Sequence, residues 1–141
     1  MIKNILALDL GKTTLGVAIS RSGMFVTPLK NFRFEREDYE TALDLLEDLM
    51  KTEKVERIVI GYPSFPSGDP CEMSYEVDKF IVMLNERFKD IPVFKQDERY
   101  STSEASSLLH ETNQNSRKQK KKIDETAASV ILERYIAKVN G

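Results

Sequence analysis

Four acidic residues in this chain stand where a carboxylate is costly to keep. Asp9 closes the apolar run Leu6-Ala7-Leu8, just ahead of a Gly-Lys-Thr-Thr turn. Asp97 and Glu98 follow directly on the strand-like segment Ile91–Gln96, and Asp124 stands where an amphipathic helix is expected to begin. Taken singly, each has an ordinary use: Asp9 as an acceptor for a tight turn, Asp124 as a helix N-cap. Taken together they imply more. Carboxylates gathered at one edge of a sheet repel, and burying unpaired charge is expensive. A positive partner is therefore expected. With one histidine, His110, and one cysteine, Cys71, zinc is disfavoured; an all-oxygen set suits Mg²⁺ or Mn²⁺. Two such ions roughly 4 Å apart activate water and stabilise the leaving oxygen in phosphodiester hydrolysis.

The segment Arg117–Lys122, RKQKKK, holds five of the 21 basic residues in a chain of net charge −2. The molecule is thus an acidic body with one concentrated basic segment. Such a run is either a solvated loop or a phosphate-binding one. Beside the acidic set, Lys120–Lys122 would hold the phosphates of a nucleic acid.

The elements that must position these groups are legible in outline. Ile2–Leu8, Leu15–Ile19 and Leu29–Phe34 read as a meander of three strands. Tyr39, Ala42, Leu43, Leu46, Leu49 and Met50 form the apolar stripe of a helix. Arg57–Ile60 reads as a short strand. Gly61–Pro70, with three prolines and two glycines, reads as a loop. A second helix carries Met73, Val77, Phe80, Ile81, Leu84 and Phe88 on one face. Ile91–Gln96 is a further strand, followed by a short helix near Ser103–Thr112. The polar basic segment 112–121 is expected to be a mobile loop, and a last helix to run from about Asp124 to Val139. On its stripe Asp124 joins Ala127, Ala128, Ile131 and Tyr135.

A hairpin followed by alternating helices and strands predicts one α/β domain over residues 1–141, with a mixed central sheet flanked by helices. Such sheets place their sites beyond the carboxyl ends of the parallel strands, where Asp9 and Asp97-Glu98 fall. No apolar run approaches the ~18 residues of a membrane span, so a membrane partner is not expected. A lone cysteine fits a reducing, cytoplasmic setting.

Several motifs now carry a resemblance. Asp9-Leu10-Gly11, Gly16-Val17-Ala18, Thr27-Pro28-Leu29 and Gly61-Tyr62-Pro63 resemble, in order, motifs of the YqgF/RuvX family. So do Asp97-Glu98-Arg99 with Ser101-Thr102 and Ala105, and the basic run leading to Asp124 and Ala127-Ala128. The matches keep register from about Ile5 to Tyr135. The resemblance implies the RNase H-like fold of RuvC-type Holliday junction resolvases. It implies a metal-dependent endonuclease that matures the 5′ end of pre-16S ribosomal RNA in ribosome biogenesis. Carried over by residue, it makes Asp9, Glu98 and Asp124 the catalytic, metal-binding set. If the strand's alternation continues, only one of Asp97 and Glu98 points into the site, and Glu98 is preferred. Arg99, Lys118, Lys120, Lys121 and Lys122 would contact phosphate, although Arg99 has an equally ordinary use in an ion pair.

The chain departs from the family pattern in places. Thr13 and Thr14 follow a displaced Lys12 where a basic residue is common. Phe65 stands where the family's loop has asparagine, and Arg21 where an aspartate is common. None of these removes a proposed metal ligand.

Other classes remain in view. A DNA endonuclease cutting four-way junctions would use the same metals and would need a symmetric homodimer to place paired cuts. A non-catalytic RNA- or ribosome-binding module would need no divalent ion. Asp9-Leu10-Gly11-Lys12-Thr13 also resembles the first phosphate loop of sugar kinases and actin-like ATPases. Those chains are much longer, and this one has no G-x-x-x-x-G-K-[ST] loop. Phe65, in an exposed Pro-Gly loop, is a candidate for stacking on a base. His110 reads as a surface residue, and nothing beside Cys71 suggests nucleophilic catalysis.

Overall fold

The computed structural model describes residues 2–99 and 116–140, with the side chains of residues 99 and 116–126 outside the description. The expected helix near Ser103–Thr112, His110 and residues 112–115 of the basic segment lie outside the described residues.

Among the described residues, five strands form one sheet: β1 Ile5–Leu10, β2 Thr14–Ser20, β3 Thr27–Arg33, β4 Arg57–Ser64 and β5 Val93–Arg99. Their order is β3-β2-β1-β4-β5. β1, β2 and β3 pair antiparallel, whereas β1, β4 and β5 pair parallel. The central strands are apolar on both faces because helices cover both. On one face Leu6, Leu8, Leu10, Ile58 and Ile60 meet α1 (Tyr39–Met50) and α2 (Glu72–Arg87). The ring of Tyr39 packs edge-on against Phe80, with centroids 5.7 Å apart. Asp38 starts α1 as the expected kind of N-cap: its carboxylate accepts from the Thr41 amide at 3.3 Å.

Among the described residues, the other face is covered by α3 (Ser116–Asn140). Its Ala128, Ile131, Leu132 and Tyr135 pack on Ile5, Ala7, Ala18 and Val59. These sheet positions are small or β-branched, so the helix lies close.

Several boundaries differ from those expected of the sequence; β5, for one, spans Val93–Arg99 and so takes in Asp97 and Glu98, and three further differences bear on the site. β1 runs two residues past Leu8, so Asp9 lies within the strand and pairs with Gly16 rather than ending it. β4 continues through Gly61-Tyr62-Pro63-Ser64, where the prolines and glycines predict a loop. The reason is one-sided pairing: β1 pairs with β4 only from Ile5↔Arg57 to Leu8↔Ile60, while β5 follows β4 to Ser64↔Arg99. Beyond Ile60, β4 therefore behaves as an edge, where a residue without an N–H is tolerated. Finally, α3 begins at Ser116, eight residues before Asp124. It takes in Lys118 and Lys120–Lys122, where the polar composition predicts a loop.

Candidate active site

The split between β1 and β4 opens the carboxyl end of the sheet where the acidic residues gather. Side chains alternate along a strand. With Ile5 and Ala7 on the α3 face, Asp9 follows them there. On β4, Val59 faces α3, and so does Gly61: a Cβ built on Gly61 would meet Ile131 of α3 and the Cγ of Glu98. On β5, Phe94 lies against Tyr135 of α3 with ring centroids 6.3 Å apart, so Gln96 and Glu98 share that face. Lys95 points the other way, its Nζ 3.1 Å from Asp78 of α2, and alternation puts Asp97 on that side. Asp9 and Glu98 thus share one face at one end, two strands apart, with the side-chain-free Gly61 between them.

Two glycines line this approach, and only one of them is crowded. A Cβ on Gly16 would sit 3.6 Å from the Cβ of Asp9 and 3.7 Å from that of Ala128, which is ordinary contact. A Cβ on Gly61 would sit 2.6 Å from Ile131 Cδ1 and 3.3 Å from Glu98 Cγ, which is too close. A side chain at Gly61 would therefore force Ile131 of α3 to shift and press on Glu98 of β5.

The turn after Asp9 is held from outside the site. Gly11 N–H donates to the Thr14 carbonyl at 2.7 Å and closes the hairpin. The Lys12 and Thr13 carbonyls accept from the amides of Glu37 and Phe34 at 2.8 and 3.0 Å. The Lys12 side chain forms an ion pair with Glu72 at the start of α2. The basic residue in this turn is thus engaged on the side away from α3. Arg21, another departure from the family pattern, pairs with Glu53 at 2.8 Å. Phe65 is 52% exposed, as expected for its loop.

Glu98 has two unlike oxygens. Oε2 accepts a hydrogen bond from Nη1 of Arg134 on α3. Oε1 is buried and makes no hydrogen bond to any described residue. Burial pushes the Glu98 carboxyl above its usual range; Arg134 opposes this, while the charges of Asp9 and Asp97 raise it further. The Asp9 contribution reflects how near the two carboxylates are. Just above the unfolded-chain value, the native state binds more protons at Glu98 than the unfolded chain does. This group's contribution to stability therefore falls as pH rises through that window. Without added metal, thermal melts from pH 4 to 6.5 should show Glu98→Gln gaining on wild type as pH rises. A difference that stays flat would show that Glu98 titrates normally.

Asp124 lies on α3, four residues before Ala128; its side chain, like those of Arg99, Lys118 and Lys120–Lys122, is outside the described residues. Among the described residues, no three Asp, Glu, His or Cys side chains form a metal-holding group. Of the three acids expected from sequence, the described geometry brings together Asp9 and Glu98. Arg134 is the residue that sequence reasoning misses. Its only signal is its place three residues after Ile131, and that cannot show which strand its guanidinium reaches.

A model of the RuvX family, described as Holliday junction resolvase, matches residues 3–138. The chain belongs to the RuvX family. Its mixed five-stranded sheet with flanking helices is the RNase H-like fold of that family. A relative from Mesoplasma florum is 34% identical over 98% of this chain and 99% of its own length. One from Mycoplasmopsis pulmonis is 37% identical, covering 93% of this chain and 90% of its own. One from Mycoplasma capricolum is 36% identical over 96% of both. All three are named "Putative pre-16S rRNA nuclease". Among the described residues of this RuvX protein, no helix is long and apolar enough to cross a membrane.

Proposed function

We propose that this RuvX-family nuclease is a divalent-metal-dependent endonuclease that processes the 5′ end of pre-16S ribosomal RNA, acting in the cytoplasm on ribosomal precursor particles. The observation that carries the reading is the placement of Asp9 and Glu98 on one face at the open carboxyl end of the sheet, with Glu98 Oε1 buried and unsatisfied among the described residues. An unsatisfied buried carboxylate oxygen beside a second carboxylate is costly on its own. It fits a hard cation, and the donors are all oxygen, as Mg²⁺ or Mn²⁺ prefers.

In this reading Asp9, Glu98 and Asp124 hold the metal. The position of Asp124 supports its membership, because α3 crosses the sheet at Ala128, beside Gly16 and Asp9. When bound, the metal supplies charge that activates water and stabilises the leaving oxygen of a phosphodiester. The chain's own residues do the rest. The β1–β4 split gives a strand of RNA access to the carboxylates. Arg99, Lys118, Lys120, Lys121 and Lys122 bind its phosphates and fix its register. The names of the relatives favour precursor RNA as substrate.

The test is cleavage of a precursor 16S RNA 5′ end with Mg²⁺, with Mn²⁺ and with chelator, run beside a four-way DNA junction. RNA cleavage that chelator abolishes is expected. Cleavage of the junction alone would replace this reading with a resolvase acting as a homodimer. RNA binding without cleavage of either substrate, and without metal binding, would identify a non-catalytic ribosome-binding module.

A further inference from the structure

We propose that Arg134 is a positioning residue: by holding Glu98 Oε2 from α3, it leaves the buried Oε1, on the face shared with Asp9, as a ready metal ligand. The inference rests on the metal-dependent reading above and adds a residue to it from outside the acidic set. Three observations carry it. Arg134 Nη1 donates to one Glu98 oxygen only. The other oxygen is buried and makes no hydrogen bond to any described residue. Arg134 itself is fixed by its helix: Ile131, three residues earlier, is buried against Gly61, the position that separates Asp9 from Glu98.

The division of labour follows from this geometry. A glutamate side chain has several rotatable bonds, and beside Asp9 it is repelled from the position metal binding needs. A cation on Oε2 opposes that repulsion and limits the rotamers without occupying Oε1. Partners of this outer kind typically change metal affinity by 10–100-fold. The Arg134 side chain is 56% exposed, so the ion pair adds little to global stability. Its effect should therefore fall on the site and not on the fold. Because the contact is made by one donor to one oxygen, an ammonium at the same position can supply it.

Mn²⁺ binding to the full-length, metal-free protein, followed by electron paramagnetic resonance and calorimetry, tests this without a substrate. Four proteins are compared: wild type, Arg134→Gln, Arg134→Lys and Asp9→Asn. Arg134→Gln should bind Mn²⁺ about tenfold more weakly, with a thermal midpoint close to wild type. Arg134→Lys should recover most of the affinity, which a purely structural role in α3 would not predict. Equal or tighter binding by Arg134→Gln, with binding still lost in Asp9→Asn, would overturn the role of Arg134 alone. Binding that Asp9→Asn leaves unchanged, or no binding by wild type, would overturn the metal reading and this inference with it.

Discussion

Asp9→Asn is expected to lower cleavage of precursor 16S RNA by about a thousandfold, equivalent to ~4 kcal/mol of transition-state stabilisation. The argument has two parts. Asp9 occupies a fixed position in β1, paired with Gly16 and approached by Ala128, so an amide of nearly the same shape keeps that packing. What changes is charge: an asparagine oxygen is a poorer ligand for a hard divalent cation, and the site loses half of the described carboxylate pair. Folding should not suffer. Asp9 is one of the groups that raise the proton affinity of Glu98, so removing its charge relieves repulsion. The metal-free variant should stay folded, with a melting temperature close to that of wild type. Wild-type cleavage rates in Asp9→Asn would sink the catalytic assignment. A large drop in melting temperature would mean that Asp9 serves the fold.

Gly61→Ala should damage stability and catalysis together, and Gly16→Ala should damage neither much. Both glycines lie on the α3 face, but they are not equally crowded. At Gly16 the added methyl would meet atoms at 3.6–3.8 Å. At Gly61 it would meet Ile131 Cδ1 at 2.6 Å, with Ile131 only 4% exposed and so without free space to retreat into. Forcing an extra methyl into a packed core typically costs about 1–3 kcal/mol, or roughly 3–9 °C in a domain of this size. The second effect is local. Glu98 Cγ lies 3.3 Å from the same point, so the methyl displaces the carboxylate as well as the helix. The shift this contact demands is a few tenths of an ångström, so the rate should fall by clearly less than the roughly 100-fold that a 1 Å misplacement costs. Melting curves and single-turnover cleavage of both variants measure the two effects separately. Equal behaviour of the two variants would refute the close contact at Gly61.

Much of the site is legible in the amino-acid sequence, and the reason is periodicity. Asp9 follows Ile5 and Ala7 at two-residue spacing, so its face is determined once β1 is recognised. The same alternation separates Asp97 from Glu98, because adjacent residues on a strand cannot share a face. The stripes Tyr39–Met50 and Val77–Leu84 define their helices for the equivalent reason at helical spacing. Composition carries the chemistry: with one histidine and one cysteine, only oxygen donors are numerous enough to build a metal site.

Other features are decided by contacts between segments distant in sequence. Gly61-Tyr62-Pro63-Ser64 has the composition of a loop, and β5 alone makes it strand by supplying partners on one side where β1 supplies none. Lys12 follows β1 closely, yet Glu72 draws it to the side away from α3. Arg134 is 36 residues from Glu98, and local sequence cannot specify a contact across that distance. The sequence alone thus determined which residue types exist and on which face of their own element they lie, because both depend on local backbone geometry. Which elements stand side by side, and hence which charges meet, was settled by packing: Ile131 of α3 lies where a side chain on Gly61 of β4 would have to be.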